Sequence, residues 1–152
     1  MWYRLGALGC VVVAGLLGGC AKDPPPAIVP AEGTILLDGK PLNKAEVRFI
    51  PVDEVGSEYI AKGVTDEHGR FTLTCKGQPG ACAGENYVVV RETDIPPKLR
   101  SENAQAELRD YLNKLGNRPI PIKYSNVAVS PLRVTLTTDS KAHHFFELKR
   151  DD

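Results

Sequence analysis

The chain has 152 residues, a quarter of them charged, with 19 basic and 19 acidic side chains and a formal net charge of zero. That is the size of one domain behind a short leader, and it lacks the basic excess that electrostatic nucleic-acid binding needs. Aromatic residues make up 7%, with one tryptophan, and there are four cysteines.

The N-terminus, MWYRLGALGCVVVAGLLGGC, carries one positive charge at Arg4 and then an uncharged, mostly apolar run from Leu5 to Gly19. This is the layout of a secretion signal over residues 1–19. The run is shorter than the roughly 20 residues that a membrane-spanning helix needs. It closes on Leu17, Gly18, Gly19 and Cys20, which resembles the bacterial lipobox: small residues admit a peptidase to the backbone, and the Cys20 thiol is the nucleophile for lipid transfer. The resemblance implies diacylglycerol on Cys20, cleavage before it and palmitate-type acylation of the new amino terminus. Several acyl chains anchor stably where one does not, so it also implies a lipoprotein held on a membrane of the cell envelope. Ala21, where an aspartate often marks inner-membrane retention, leans toward the outer membrane. Removal of the leader takes Arg4, Trp2 and Cys10 with it and leaves a formal charge of about −1.

Residues 20–31 then read as the lipidated cysteine and a Pro-rich tether, extended at about 3.1 Å per residue and so about 30 Å long. Residues 32–152 are the domain. EGTILLDGKPL ends a strand at Asp38-Gly39, a dipeptide suited to a hairpin turn because both positions tolerate positive φ. AEVRFIPV alternates Ala45, Val47 and Phe49 against Glu46 and Arg48, giving a strand with one apolar face. EYIAKGV and RFTLTC follow, the second with Phe71, Leu73 and Cys75 inward. Between them TDEHGRF places two acids, a histidine and an arginine together, as a catalytic or metal site would. The same residues make a turn: Asp66 bonds backbone amides, Gly69 takes positive φ, Phe71 re-enters the core, and Glu67 and His68 sit at the tip.

Cys75 and Cys82 flank KGQPGA, whose Pro79-Gly80 is a turn dipeptide, and as an even pair in an exported chain they predict a small disulfide-closed loop. A zinc site would want four ligands, and no second cluster lies nearby in the sequence. ENYVVVRE is β-branched and predicts a strand covered on both faces. Ala104, Leu108, Tyr111, Leu112 and Leu115 recur at helical spacing, with Ser101 as N-cap and Gly116 and Pro119 as stops, so an inserted amphipathic helix is predicted over about 100–115. PLRVTLTT and HHFFELKR are the last two strands. His143 and His144 are adjacent and point to opposite faces, so they cannot chelate one metal, and His144 aligns with Phe146 and Leu148 at the core edge. Seven short strands at this spacing predict an all-β, antiparallel β-sandwich.

The run GTILLDGKPLNKAEVRFIPV, AKGVTDEHGRFTLT, ENYVVVR, PIPIKYSNVAVSPLRVTL and FFELK, in that order, resembles small bacterial lipoproteins with a carboxypeptidase regulatory-like, or transthyretin-like, domain. The resemblance implies a seven-stranded antiparallel Greek-key sandwich, with one inserted α-helix in this chain, and no single activity. The expected function is a non-catalytic structural or binding module, anchored through Cys20, whose partner is an envelope protein or polymer reached through loops or a strand edge. No cofactor, metal or nucleic acid is expected. The alternatives are a carbohydrate- or small-ligand-binding module using Tyr59 and Tyr111, and a transthyretin-like hydrolase. Against the hydrolase, the chain ends ELKRDD where the 5-hydroxyisourate hydrolases carry a terminal tyrosine-arginine-glycine-serine motif, and neither G-x-S-x-G nor H-E-x-x-H occurs. A metal site would require His68 to approach His143 or an acid.

Overall fold

The computed structural model describes residues 24–93, 95–139 and 143–150; the leader, Cys20 and residues 21–23 lie outside them. The elements are β1 Ile28–Val29, β2 Glu32–Leu37, β3 Lys40–Pro41, β4 Ala45–Pro51, β5 Ala61–Val64, β6 Arg70–Thr72, β7 Thr74–Cys75, β8 Gln78–Pro79, β9 Ala81–Cys82, β10 Gly84–Glu92, α1 Gln105–Leu115, β11 Arg133–Leu136 and β12 His143–Leu148. They form a six-stranded sheet in the order β11-β10-β4-β5-β7-β8, a four-stranded sheet in which β2 lies among β12, β3 and β6, and a two-stranded pair of β1 with β9.

Alternation in the sequence decides which side of each strand is buried. In β4, Ala45, Val47 and Phe49 are fully buried, and in β2 the same holds for Ile35 and Leu37. Phe49 of the six-stranded sheet meets Phe71 and Phe146 of the four-stranded sheet edge-on, each at 6.0 Å between ring centroids. One core therefore lies between the two sheets, with Val88, Val90 and Leu148 closing around it. Edge-to-face contact suits aromatic quadrupoles, so these rings add specific geometry to the area they bury. Gly33 makes room for this cluster, since a Cβ there would stand 2.8 Å from the Phe71 ring and would also strike the His144 carbonyl.

Three expectations change. The sandwich is not antiparallel throughout: β2 and β12 run parallel, from His143 opposite Glu32 to Leu148 opposite Leu37. A period of two identifies the inward residues of HHFFEL but carries no information on strand direction, which the crossing from β11 to the other sheet decides. The Pro-rich tether also ends sooner than Ala31. Ala27 accepts a hydrogen bond from the Ala83 amide at 2.8 Å, Ile28 and Val29 pair with Cys82 and Ala81, and Val29 and Ala31 are buried in the core. Finally, the predicted disulfide is absent: Cys75 and Cys82 are both free thiols, 4.2 Å apart, against the roughly 2.05 Å of an S–S bond.

The insert begins with a 3₁₀ turn, Glu102–Ala104, for which Ser101 is the N-cap residue without a side-chain capping bond, and continues as α1. It stops at Gly116, whose φ of +68° with ψ of 158° is a combination open essentially to glycine. Ala104 is buried, but no residue within α1 itself is.

Candidate functional site

The register between β4 and β10 gives the sandwich two distinct ends. Asn86 faces Pro51 at one end of this pairing and Glu92 faces Ala45 at the other. At about 3.3 Å per residue, the six steps from Asn86 to Glu92 separate these ends by about 20 Å.

At the Pro51 end, the N-terminal segment enters beside β9. Pro24, Pro25 and Pro26 line an open cleft with Asp53, Glu54, Val55 and Tyr59. Tyr59 is half-buried against the core, and the Lys76 ammonium lies 4.2 Å from its ring centroid and donates to its hydroxyl at 3.2 Å. Directly beneath are the two thiols. Cys75 and Cys82 are 0% and 1% exposed, and their sulfurs lie 3.2 and 3.6 Å from the Tyr59 carbonyl oxygen. Burial raises the proton affinity of both and pushes the Cys82 thiol up to about 11, with the neighbouring Cys75 adding to the shift. Asn86, fully buried, donates from Nδ2 to the carbonyls of Cys82 at 2.9 Å and Gly84 at 3.0 Å, which fixes the end of β9.

At the Ala45 end the insert is clamped to the sandwich. The Arg118 side chain is 1% exposed and pairs with Glu92 at 2.7 Å, while its guanidinium also donates to the Asn43 carbonyl at 2.6 Å. Asn117 Nδ2 donates to the carbonyls of Leu37 and Lys40, both at 3.0 Å, and its Oδ1 accepts from Arg150 at 3.2 Å. Asp38, with φ of +51°, and Gly39, with φ of +74°, make the two-residue turn between β2 and β3 at this same end. The amide of Arg150 and then its guanidinium hold the Asp38 carboxyl below the usual carboxylate range. Nothing in the one-dimensional pattern marks Asn117 or Arg118 as structural; their spacing from Leu37 and Asn43 is too long for any local motif.

α1 lies at this end with clefts on both sides. One, of about 400 Å³, is lined by Leu108, Leu112 and Pro119; the other, of about 620 Å³, by Leu99, Ala104, Lys98 and Tyr111. Tyr111 and Tyr59 thus belong to separate clefts at opposite ends and form no shared stacking platform.

TDEHGRF is a turn. Asp66 Oδ1 accepts from the amides of His68 at 2.8 Å and Arg70 at 2.9 Å, its Oδ2 meets the Arg70 guanidinium at 3.2 Å, and the Gly69 amide donates to the Asp66 carbonyl at 2.9 Å. Donation from the Arg70 amide is the largest cause of the lowered Asp66 pKa. Glu67 and His68 are at the exposed tip, 3.6 Å apart. Beside the turn, an open cleft of about 590 Å³ is lined by Glu32, Asp66, Arg70, Thr72 and His143. His143 Nε2 is 2.8 Å from Thr34 Oγ1, but its Nδ1 is 3.8 Å from Glu32. That second distance exceeds a hydrogen bond, so the Glu32 carboxylate does not fix this imidazole. Among the described residues, no group of three or more histidine, cysteine or acidic side chains converges as a metal site. His144 instead packs between Phe49 and Phe146, at 6.2 and 6.5 Å between ring centroids.

Comparison of the chain with protein-family models, with curated proteins and with solved structures finds no match.

Proposed function

We propose that this chain is a lipid-anchored cell-envelope protein, held through Cys20 and cleaved from its leader, whose β-sandwich is a non-catalytic module that binds an envelope protein or polymer at its α1 end. The observation that carries this reading is the opposition of the two ends: the N-terminal segment enters beside β9 and Tyr59, and the insert is clamped at the far end of β10. About six residues separate Cys20 from Ala27, a reach of about 20 Å when extended. An anchor this short holds the Asp53–Tyr59 end near the bilayer and directs α1 away from it.

The helix supports a contact role because its apolar side, Leu108, Tyr111, Leu112 and Leu115, is only half covered. A helix serving the core alone would bury that stripe. The seven-stranded Greek-key topology of the carboxypeptidase regulatory-like domain belongs to the same reading, and Ala21 favours the outer membrane as the anchoring surface.

The test places a photo-crosslinking residue at Glu107 on α1 or at Glu54 in the Asp53–Tyr59 loop of the membrane-bound protein, with Cys20→Ser as control. Glu107 should capture one reproducible protein or polymer and Glu54 should capture lipid, while Cys20→Ser should move the protein out of the membrane fraction. Membrane retention of Cys20→Ser sinks the anchor. A lipid adduct at Glu107, or no adduct above an exposed control position, sinks the orientation.

A further inference from the structure

The thiol pair supports an inference that does not depend on the anchor. We infer that Cys75 and Cys82 form a two-coordinate site for a soft monovalent metal ion of the Cu(I) class.

The ligand count selects the ion class. Zinc takes four ligands, and among the described residues no third or fourth histidine, cysteine or acid joins these two. Thiolates are soft donors that select Cu(I) among the available metals, and a closed-shell monovalent ion is satisfied by two of them in line. The spacing also suits it. A zinc–thiolate bond is about 2.3 Å and a two-coordinate bond is shorter, so an ion in line between two thiolates holds the sulfurs somewhat under about 4.6 Å apart. The pair already stands 4.2 Å apart, too far for covalent bonding and within a few tenths of an ångström of the separation required.

The site is built from ordered backbone. Cys75 ends β7, whose partner β8 begins at Gln78, and the Gly80 amide donates to the Leu73 carbonyl at 2.7 Å. Cys82 is fixed from behind by Asn86 Nδ2 at 2.9 Å. Such support keeps ligands near their bound positions and limits the entropy lost on binding.

Charge is complementary too. Two thiolates around a monovalent cation carry one net negative charge, and Lys76 is the adjacent cation in the chain. Its ammonium is held in place over the Tyr59 ring. Lys76, Gly77, Gln78 and Pro79, the short loop that leads from Cys75 toward Cys82, are all exposed.

The test is anaerobic titration of the reduced full chain with Cu(I) against a chromophoric Cu(I) chelator, compared with the Cys75→Ser/Cys82→Ser double variant. Cys10 and Cys20 are present in both proteins, so the difference isolates this site. The wild type should retain one more Cu(I) per chain than the variant, show X-ray absorption from two sulfur neighbours, and resist alkylation at both cysteines even after mild loop opening in urea. If the double variant fails to fold, the wild-type absorption spectrum and its failure to hold Zn(II) under the same competition decide the matter. Equal retention by both proteins, a metal environment with more than two protein ligands, or equal retention of Zn(II) overturns the inference.

Discussion

The Arg118 guanidinium meets the Glu92 carboxylate at 2.7 Å with only 1% of the Arg118 side chain exposed, and this pair joins the end of the helical insert to the longest strand of the sandwich. Removing Arg118 leaves the Glu92 carboxylate, whose side chain is 22% exposed, without its partner, so Arg118→Ala should cost about 1–3 kcal/mol in urea unfolding. Arg118→Met/Glu92→Leu, which removes both charges, should recover most of that loss; equal destabilisation by the single and double variants would mean that the carbonyl contacts of Arg118, not its charge, hold the insert.

Thr65 occupies a similar joint inside the fold. It is 3% exposed, donates to the Leu42 carbonyl at 2.5 Å and accepts from the Ala45 amide at 2.9 Å. Thr65→Val keeps the shape and strands both backbone groups, so unfolding experiments should show a loss of about 1–3 kcal/mol.

Gly69 sets the turn that TDEHGRF makes. Its φ is +74°, and an added Cβ would strike the Ile35 carbonyl and lie 3.2 Å from the Leu42 amide nitrogen. Gly69→Ala should cost at least about 1–2 kcal/mol from the left-handed backbone alone. His68→Ala, at the exposed tip, should leave the melting temperature unchanged; a large effect there would reopen a functional role for the turn.

His144 predicts a pH dependence. Burial, with the adjacent His143 second, lowers its pKa from the ordinary 6.5. Above 6.5 the imidazole is neutral in both states and the fold has its full stability. Below that value the unfolded chain takes up a proton that the folded chain resists, so stability falls until the folded pKa is passed. Thermal melts from pH 7.5 to 5 should show this decline, and His144→Phe should flatten it. Asp38 and Asp66, lowered from 3.8, affect stability only in more acid solution.

The thiols give a direct chemical check. Without added reductant, the native protein should react slowly with an alkylating agent at Cys75 and Cys82, and the unfolded protein should expose both thiols at once. Slow native reaction follows from burial and from a Cys82 pKa of about 11, because the thiolate is the reactive form. Recovery of the two residues as a disulfide-linked peptide from the unreduced protein would contradict the free-thiol structure.

The features legible in the sequence are local. Alternation at Ala45, Val47 and Phe49 specifies a buried face, Asp38-Gly39 and Gly69 supply positive φ where a turn needs it, and Gly116 stops a helix, because each depends on residues a few positions apart. Tertiary structure decided what depends on separation along the chain. The direction of β12 beside β2, the early entry of Ile28 and Val29 into the fold, and the seating of Arg118 on Glu92 all join residues dozens of positions apart. The cysteines show the boundary most sharply. Their spacing brings them close, but a covalent bond depends on sulfur positions set by β7, β9 and the Tyr59 carbonyl, which hold the two thiols apart.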